Sequence, residues 1–329
     1  MNHKVCIAAL LAGFAGAAAA QTSSLTIYGI VDAGIAVSSG GPGGRVVSVA
    51  NGMSTNSRFG LKGGEKLSSD TAVRFVLEGA IAVDTGGTDK DNLLFGREAW
   101  VGLDSKRFGS VAVGRQYTPI YKTLTQVDPF ANNFGGAAGR LMKAETGGVR
   151  TSNALTYTTP AMKGFDAVVS YTAGEVAGDS EKNRQMGAAI GYKRGPLTLR
   201  VAHQQIDNAT ATDESDATLY MAKYDFGFAV GSIGYGVSKG MKTTDERDLL
   251  LGVTVPFGKH KVMANYIRKD DRAAADMFDA EQVALAYMYS LSKRTALYAA
   301  YSRLSNTRFT TTKFGTGPRE IDIGIRHSF

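Results

Sequence analysis

Cysteine is almost missing from this chain: Cys6 is the only one among 329 residues. It lies near the start of the expected leader, so the chain beyond the leader has no disulfide, no thiol nucleophile and no cysteine-based metal site. Histidine is nearly as scarce, with four in all. His3 belongs to the leader, and His203, His260 and His327 lie far apart with no acid and nucleophile beside them. No HExxH, CxxC or Walker A spacing occurs, and Gly63-Gly64-Glu65-Lys66 resembles a phosphate loop in composition only. These absences argue against an enzyme and leave no need for a cofactor or metal. Beyond the first twenty residues no apolar run is long enough for a spanning helix. The charge is positive, 37 Lys and Arg against 30 Asp and Glu. The basic residues are scattered one per segment instead of forming a stripe, which disfavours a nucleic-acid partner.

What is present begins with a leader. Met1-Asn2-His3-Lys4 is short and basic, Val5 to Ala20 is apolar and small, and Ala18-Ala19-Ala20 precedes Gln21. That order predicts a secretory signal peptide over 1–20, with residues 21–329 as one domain. An anchoring helix is the weaker alternative, because the run is short and Gly13 and Gly16 interrupt it.

The rest of the chain alternates. In the C-terminal segment Ile321, Ile323, Ile325, His327 and Phe329 share one side of a period-2 strand, and Glu320, Asp322, Gly324, Arg326 and Ser328 share the other. The same pattern runs through Leu25/Ile27/Gly29/Val31, Val73/Phe75/Leu77, Ile233/Tyr235/Val237 and Val283/Leu285/Tyr287. So many period-2 segments without a sustained 3.6-residue pattern predict an all-antiparallel β protein. A mean hydropathy of −0.11 fits strands of which every second residue faces water. A soluble sandwich would need a second large apolar face, and the opposite face reads as polar.

Connections alternate between short turns, such as 105–109, 162–164, 193–196 and 258–260, and long polar loops at 38–54, 85–92, 174–184, 207–215, 240–246, 271–279 and 306–318. Short turns on one rim and long loops on the other predict a transmembrane β-barrel of about sixteen strands. One connection, 118–152, is far longer than the others. Pro129, Phe130, Phe134 and Leu141 give it something to pack with, which favours a functional segment over a disordered one.

Several motifs carry a resemblance. Tyr28-Gly29-Ile30-Val31-Asp32-Ala33-Gly34, Ser57-Arg58-Phe59-Gly60-Leu61-Lys62-Gly63, Arg97-Glu98-Ala99-Trp100-Val101-Gly102-Leu103, Phe108 through Tyr117, Asn153-Ala154-Leu155-Thr156-Tyr157 and the terminal Phe329 occur in order across the chain. Together they resemble the general diffusion porins of Gram-negative bacteria, nearest to the betaproteobacterial branch. The resemblance implies an all-β, 16-stranded antiparallel barrel in the outer membrane, with a long third loop folded into the lumen. It also implies a homotrimer surrounded by outer-membrane lipid and lipopolysaccharide, passing ions and small hydrophilic solutes.

Parity sets Arg58 and Arg74 inward, opposite Phe59/Leu61 and Phe75/Leu77. Parity does not decide Arg97 and Arg115; the resemblance puts both inside and places Arg150 at the constriction too. It gives Asp128 the role of the loop acid, with Glu145 as a second candidate. An excess of wall arginines over loop acids predicts weak anion preference. The alternatives are a substrate-specific channel and a barrel serving mainly as receptor or adhesin. The small residues Gly29, Ala33, Gly79 and Ala99 are expected at the trimer contact, with Thr85, Asp89 and Asp91 as a latch.

Overall fold

The computed structural model describes residues 23–41, 43–88, 92–142, 148–240, 244–273, 279–305 and 318–329. The expected signal peptide, Asp89, Asp91 and Glu145 lie outside these residues. Seventeen strand segments form one antiparallel sheet. The first eight are β1 (Ser23–Gly41), β2 (Gly44–Asn51), β3 (Arg58–Lys66), β4 (Thr71–Ala80), β5 (Glu98–Ser105), β6 (Gly109–Tyr117), β7 (Arg150–Thr158) and β8 (Phe165–Thr172). The next five are β9 (Gln185–Arg194), β10 (Leu197–Asp207), β11 (Glu214–Asp225), β12 (Val230–Gly240) and β13 (Thr244–Phe257). The last four are β14 (His260–Asp271), β15 (Ala280–Ser290), β16 (Thr295–Leu304) and β17 (Arg319–Ser328).

From β3 onward each segment pairs with its sequence neighbour, and β1 pairs with β17 from Ile30↔Ser328 to Ser39↔Arg319, which closes the barrel. β1 also pairs with β2 through Ala33–Gly41 and with β3 through Ser23–Ile30. β2 and β3 are therefore one stave interrupted at 52–57, so seventeen segments make sixteen staves. The expected 38–54 loop is corrected: β1 runs to Gly41 and β2 covers Gly44–Asn51, so most of it is strand, and the kink follows. Gly63-Gly64-Glu65-Lys66, a phosphate loop in composition only, continues β3 opposite Ala72–Phe75.

Alternation explains the sidedness. Leu25, Ile27, Val31, Ile35, Leu285, Ile323 and Ile325 are all exposed, whereas Asp32, Ser302, Glu320 and Asp322 between their counterparts are buried. Side chains that would be core in a soluble protein are on the outside, which is the arrangement hydrocarbon requires. At the closure, Gly29 and Phe329 exchange backbone hydrogen bonds of 3.2 and 3.1 Å. A Cβ on Gly29 would lie 2.3 Å from the Phe329 ring, so the terminal aromatic needs glycine there. A Cβ on Gly79 would meet the Leu94 carbonyl at 2.2 Å. Two of the small residues expected to admit a second subunit thus admit parts of their own chain.

Between β6 and β7 the chain forms helix α1 (Pro119–Val127) and a short 3-10 turn at Ala138–Arg140. Thr118 starts the helix by accepting a hydrogen bond from Tyr121 N, and Pro119 occupies a first-turn position where a missing N–H costs nothing. Ile120, Leu124 and Val127 lie on one face and pack with Leu141 and Met142 against Ala189, Ala202, Ala217, Leu219, Met221, Leu250 and Ile267. These partners sit on the strand face opposite the exposed apolar one. Farther on, Phe130 and Phe134 pack with Met53, Ala284, Ala286 and Tyr298. The 52–57 kink makes this possible: Asp32 takes Thr55 N–H and Tyr298 O–H, and Phe134 N–H donates to Met53 O at 2.6 Å.

The sidedness has a direct consequence for stability. Ile323→Lys on the outward face should destabilise the barrel by about 2–4 kcal/mol in lipid refolding titrations. Lys261→Ser, on the inward face, should stay within about 0.5 kcal/mol of wild type. Equal costs at the two positions would contradict the assigned faces.

Candidate functional site

Five strand ends bring a charged cluster to one level of the wall. Arg58 opens β3 opposite Ala80, Glu78 on β4 faces Glu98 across the β4–β5 ladder, and Tyr117 closes β6 opposite Arg150. Arg97 directly precedes β5, with its N–H bonded to Glu78 O at 3.0 Å. Standing outside the regular strand, it is freed from the parity that groups it with Val101 and Leu103, and its side chain turns in and is buried.

The contacts form a chain. Arg97 Nε donates to Glu78 Oε1 at 2.5 Å, Arg58 Nη1 lies 3.8 Å from the same oxygen, and Tyr28 O–H donates to Oε2 at 2.9 Å. Arg97 Nη2 donates to Tyr117 Oη at 2.6 Å, and Arg150 Nη2 donates to that same hydroxyl. The Arg150 guanidinium also lies 4.2 Å from the Tyr117 ring centroid, a cation–π distance. Tyr117 stacks on Tyr121 of α1, with centroids 5.4 Å apart and ring planes 6° from parallel. Tyr117 thus holds two arginines and ties the wall to the helix.

Between the wall and the 121–133 segment is a cavity of about 290 Å³ lined by Arg58, Arg97, Tyr117, Lys122, Asn133 and neighbouring polar groups. A larger one, about 770 Å³, continues along Asn51, Asn56, Asp84, Asn132 and Arg150. The smaller lining holds three cations and no carboxylate, because Glu78 is buried behind the arginines it pairs with.

Of the expected site residues, Arg58, Arg97 and Arg150 come together. Arg74 does not: it shares the face of Glu78 but lies four residues, about 13 Å, nearer the short turns, where it pairs with Asp104 at 2.5 Å. Arg115 does not either. It sits opposite Ala99, with the parity of the exposed Val111 and Val113, and donates to Gly96 O and Ser152 Oγ.

Asp128 is buried, and its oxygens accept from Phe130 N, Asn132 N, Ala138 N and Asn265 Nδ2 at 3.0–3.1 Å. Burial pushes its carboxyl up, against the pull of these donors. It ties the segment's bends together, and the carboxylates beside the arginines are Glu78, in direct contact, and Glu98, whose charge acts on Arg150 and Lys122. Arg140, whose pKa burial pushes down and Glu320 and Asp322 pull back, fastens the segment's far end near β17.

Glu78, Tyr117 and Lys122 were missed. Glu78 carried a signal, an acid on the inward parity two strand positions from the end of β4; Tyr117 and Lys122 carried none. One catalytic spacing does occur, Gly236-Val237-Ser238-Lys239-Gly240. It lies within β12 with Ser238 buried, whereas a nucleophile elbow needs a sharp strand-to-helix turn.

Comparison with known proteins agrees with the barrel architecture. A family model described as Gram-negative porin matches residues 8–308. Outer membrane porin protein 32 of Delftia acidovorans is 32% identical over 99% of both chains. The solved anion-selective porin from Comamonas acidovorans superposes with a TM-score of 0.82 at 28% identity, covering 94% of this chain and all of that one. OmpT of Vibrio cholerae, solved in a trimer form, superposes at 0.73 with 16% identity over 94% of this chain and all of the other.

The role of Asp128 has its own test. Asp128→Asn keeps the volume but weakens acceptance of three backbone N–H groups, and should cost about 1–3 kcal/mol of thermal or chemical stability. It should increase open-channel current noise while moving the zero-current potential less than Glu78→Gln does. The opposite ranking in planar-bilayer recordings would return Asp128 to the ion path.

Proposed function

Because the chain belongs to the Gram-negative porin family, we propose that it is an outer-membrane diffusion channel for ions and small hydrophilic solutes whose narrowest ring favours anions. The observation that carries this reading is the small cavity whose lining includes Arg58, Arg97 and Lys122 with no carboxylate. The segment from Thr118 to Met142 lies in the lumen and narrows it, a reading supported by its contacts with the face of β8–β17 opposite the apolar one. The constriction then runs between the wall residues Arg58, Arg97, Tyr117 and Arg150 and the segment residues Tyr121, Lys122 and Asn133.

Fixed positive charge at a water-filled constriction lowers the electrostatic cost of an anion and raises that of a cation. Glu78 and Glu98 offset two of the four charges of Arg58, Arg97, Arg150 and Lys122, and Glu78 holds Arg97 and Arg58 in place, leaving an excess of positive charge. The anion selectivity of the Comamonas acidovorans porin supports the same sign. Residues 1–20 serve as the secretion signal, and outer-membrane lipid surrounds the apolar face. A homotrimer is supported by the trimer form of the Vibrio cholerae relative. With Gly29 and Gly79 filled from within, Ala33, Ala99 and the exposed Leu93 and Leu94 are left for the contact.

Two measurements test this. In a planar bilayer with a potassium chloride gradient the wild-type zero-current potential should have the sign of chloride preference. Arg58→Ser combined with Arg150→Ser should move it toward potassium and raise conductance. The difference should shrink from 0.1 M to 1 M salt, as the screening length falls from about 10 Å to about 3 Å. Potassium preference in the wild type, or no shift in the double variant, would sink the anion assignment. For assembly, mass measurement in mild detergent should give three chains per particle, and Leu94→Arg should lower that number; monomers throughout would refute the trimer.

A further inference from the structure

Register places two arginines face to face on the outside of the barrel. Arg303 of β16 is the direct partner of Arg319 of β17. Both are exposed, and their strand neighbours Ser302, Leu304 and Glu320 are buried, so both side chains point away from the lumen. Directly opposed residues in an antiparallel pair have Cβ atoms about 5 Å apart, and like charges there are unfavourable unless something neutralises them. Neither arginine forms an ion pair or hydrogen bond with any described residue. Their like charges therefore face each other with no neutralising group from those residues.

The surroundings point to the chemistry of what meets them. Both arginines flank the long connection after β16, so they belong to the external rim. Immediately toward the short turns the same outward face carries Val283, Tyr301, Ile321 and Ile323, exposed by 42–59%. A third cation, Arg268, lies on β14 across from Glu281 of β15. The Glu281 carboxylate is already engaged by the Tyr266 hydroxyl at 3.0 Å. The patch keeps an excess of positive charge above a continuous apolar strip. A soluble anion has no use for the strip, and a neutral lipid has none for the arginines. A phosphate bridges two guanidinium groups well, with several charge-assisted hydrogen bonds at once.

We propose that Arg303 and Arg319 form a phosphate clamp for the phosphorylated glycolipid of the outer leaflet, lipopolysaccharide, whose acyl chains lie along Val283, Tyr301, Ile321 and Ile323. The proposal rests on the outer-membrane placement and is independent of ion preference.

The test uses the purified full chain in detergent and native mass spectrometry with three probes: bisphosphorylated lipid A, lipid A with the same acyl chains and no phosphate, and phosphatidylglycerol. Wild type should bind the bisphosphorylated form at least about tenfold more tightly than the dephosphorylated one, a comparison that needs no variant. Arg303→Ser combined with Arg319→Ser should weaken that binding by roughly thirtyfold, from about fivefold per arginine near an anionic surface. It should leave the dephosphorylated form unchanged. Arg194→Ser, at the short-turn rim, should behave as wild type. The proposal falls if wild type does not distinguish the two lipid A forms, or if the double variant binds as wild type does. It also falls if phosphatidylglycerol is held as tightly as bisphosphorylated lipid A, which would mean a general anionic surface. Dissociation of the double variant into monomers without any lipid would show instead that the arginines meet a second copy of the chain. Because none of these readouts is a current, a failed clamp and a failed ion preference are separable.

Discussion

Hydrocarbon offers no hydrogen-bond partner to a backbone amide or carbonyl, so every strand that crosses it must be paired on both edges. That requirement is met here by one closure, the β1–β17 ladder, and much of the molecule depends on it. Once the sheet is closed, each strand has an outer face set by lipid and an inner face set by whatever fills the interior. Gly29 gives up its side chain so that Phe329 can finish the ladder's edge. The second stave can then break at 52–57, because β1 is long enough to hold β2 and β3 on either side of the break.

The break links the wall to the segment between β6 and β7. Its backbone turns Met53 inward to meet Phe134, and the Asp32 carboxylate holds both Thr55 and Tyr298. Asp128 binds the segment to itself, and Asn265 and Gln282 bind it to β14 and β15. Such fixed supports are what the proposed constriction requires, because a charge that moves by a few ångströms is easily replaced by water. The arginines are held equally firmly. One carboxylate and one phenol hydroxyl serve three guanidinium groups, so the positive side chains keep their positions while their charge stays only partly offset.

How much of this was legible in the sequence depended on which face a residue served. Wherever the inner face meets water, alternation is sharp, and segments such as Val283–Tyr289 and Ile321–Phe329 read as strands without ambiguity. β11 escaped that reading. Its inward residues Ala217, Leu219 and Met221 are apolar because α1 rests on them, so Thr218-Leu219-Tyr220-Met221 has no polar side to mark the period. Within the sheet the 38–54 stretch hid a strand for another reason: glycines, serines and a kink look like loop when the partner strand is unknown. The inward-turned Arg97 was invisible to parity because parity applies only inside a strand, and Arg97 stands one residue before β5 begins. Arg115 obeys parity and stays with the outward residues. Asp128 had the right type and position for a loop acid, yet the local N–H groups that surround it appear only once the chain has turned three times.

Glu78 and Asp128 differ in a way that charge counts do not capture. Both are buried carboxylates close to the same segment. Asp128 is satisfied by backbone donors that carry no net charge, so its own negative charge is stabilised but not cancelled, and burial raises the cost of keeping it. Glu78 is satisfied by two arginines and a tyrosine, so its charge is spent within the cluster. Counting Asp128 as an acid facing the arginines would therefore understate the positive charge of the proposed constriction. Following each to its partners leaves Arg150 and Lys122 beyond the contacts of Glu78, with Glu98 as the nearby acid whose charge acts on both, and the four cations Arg58, Arg97, Arg150 and Lys122 outnumber the two acids Glu78 and Glu98.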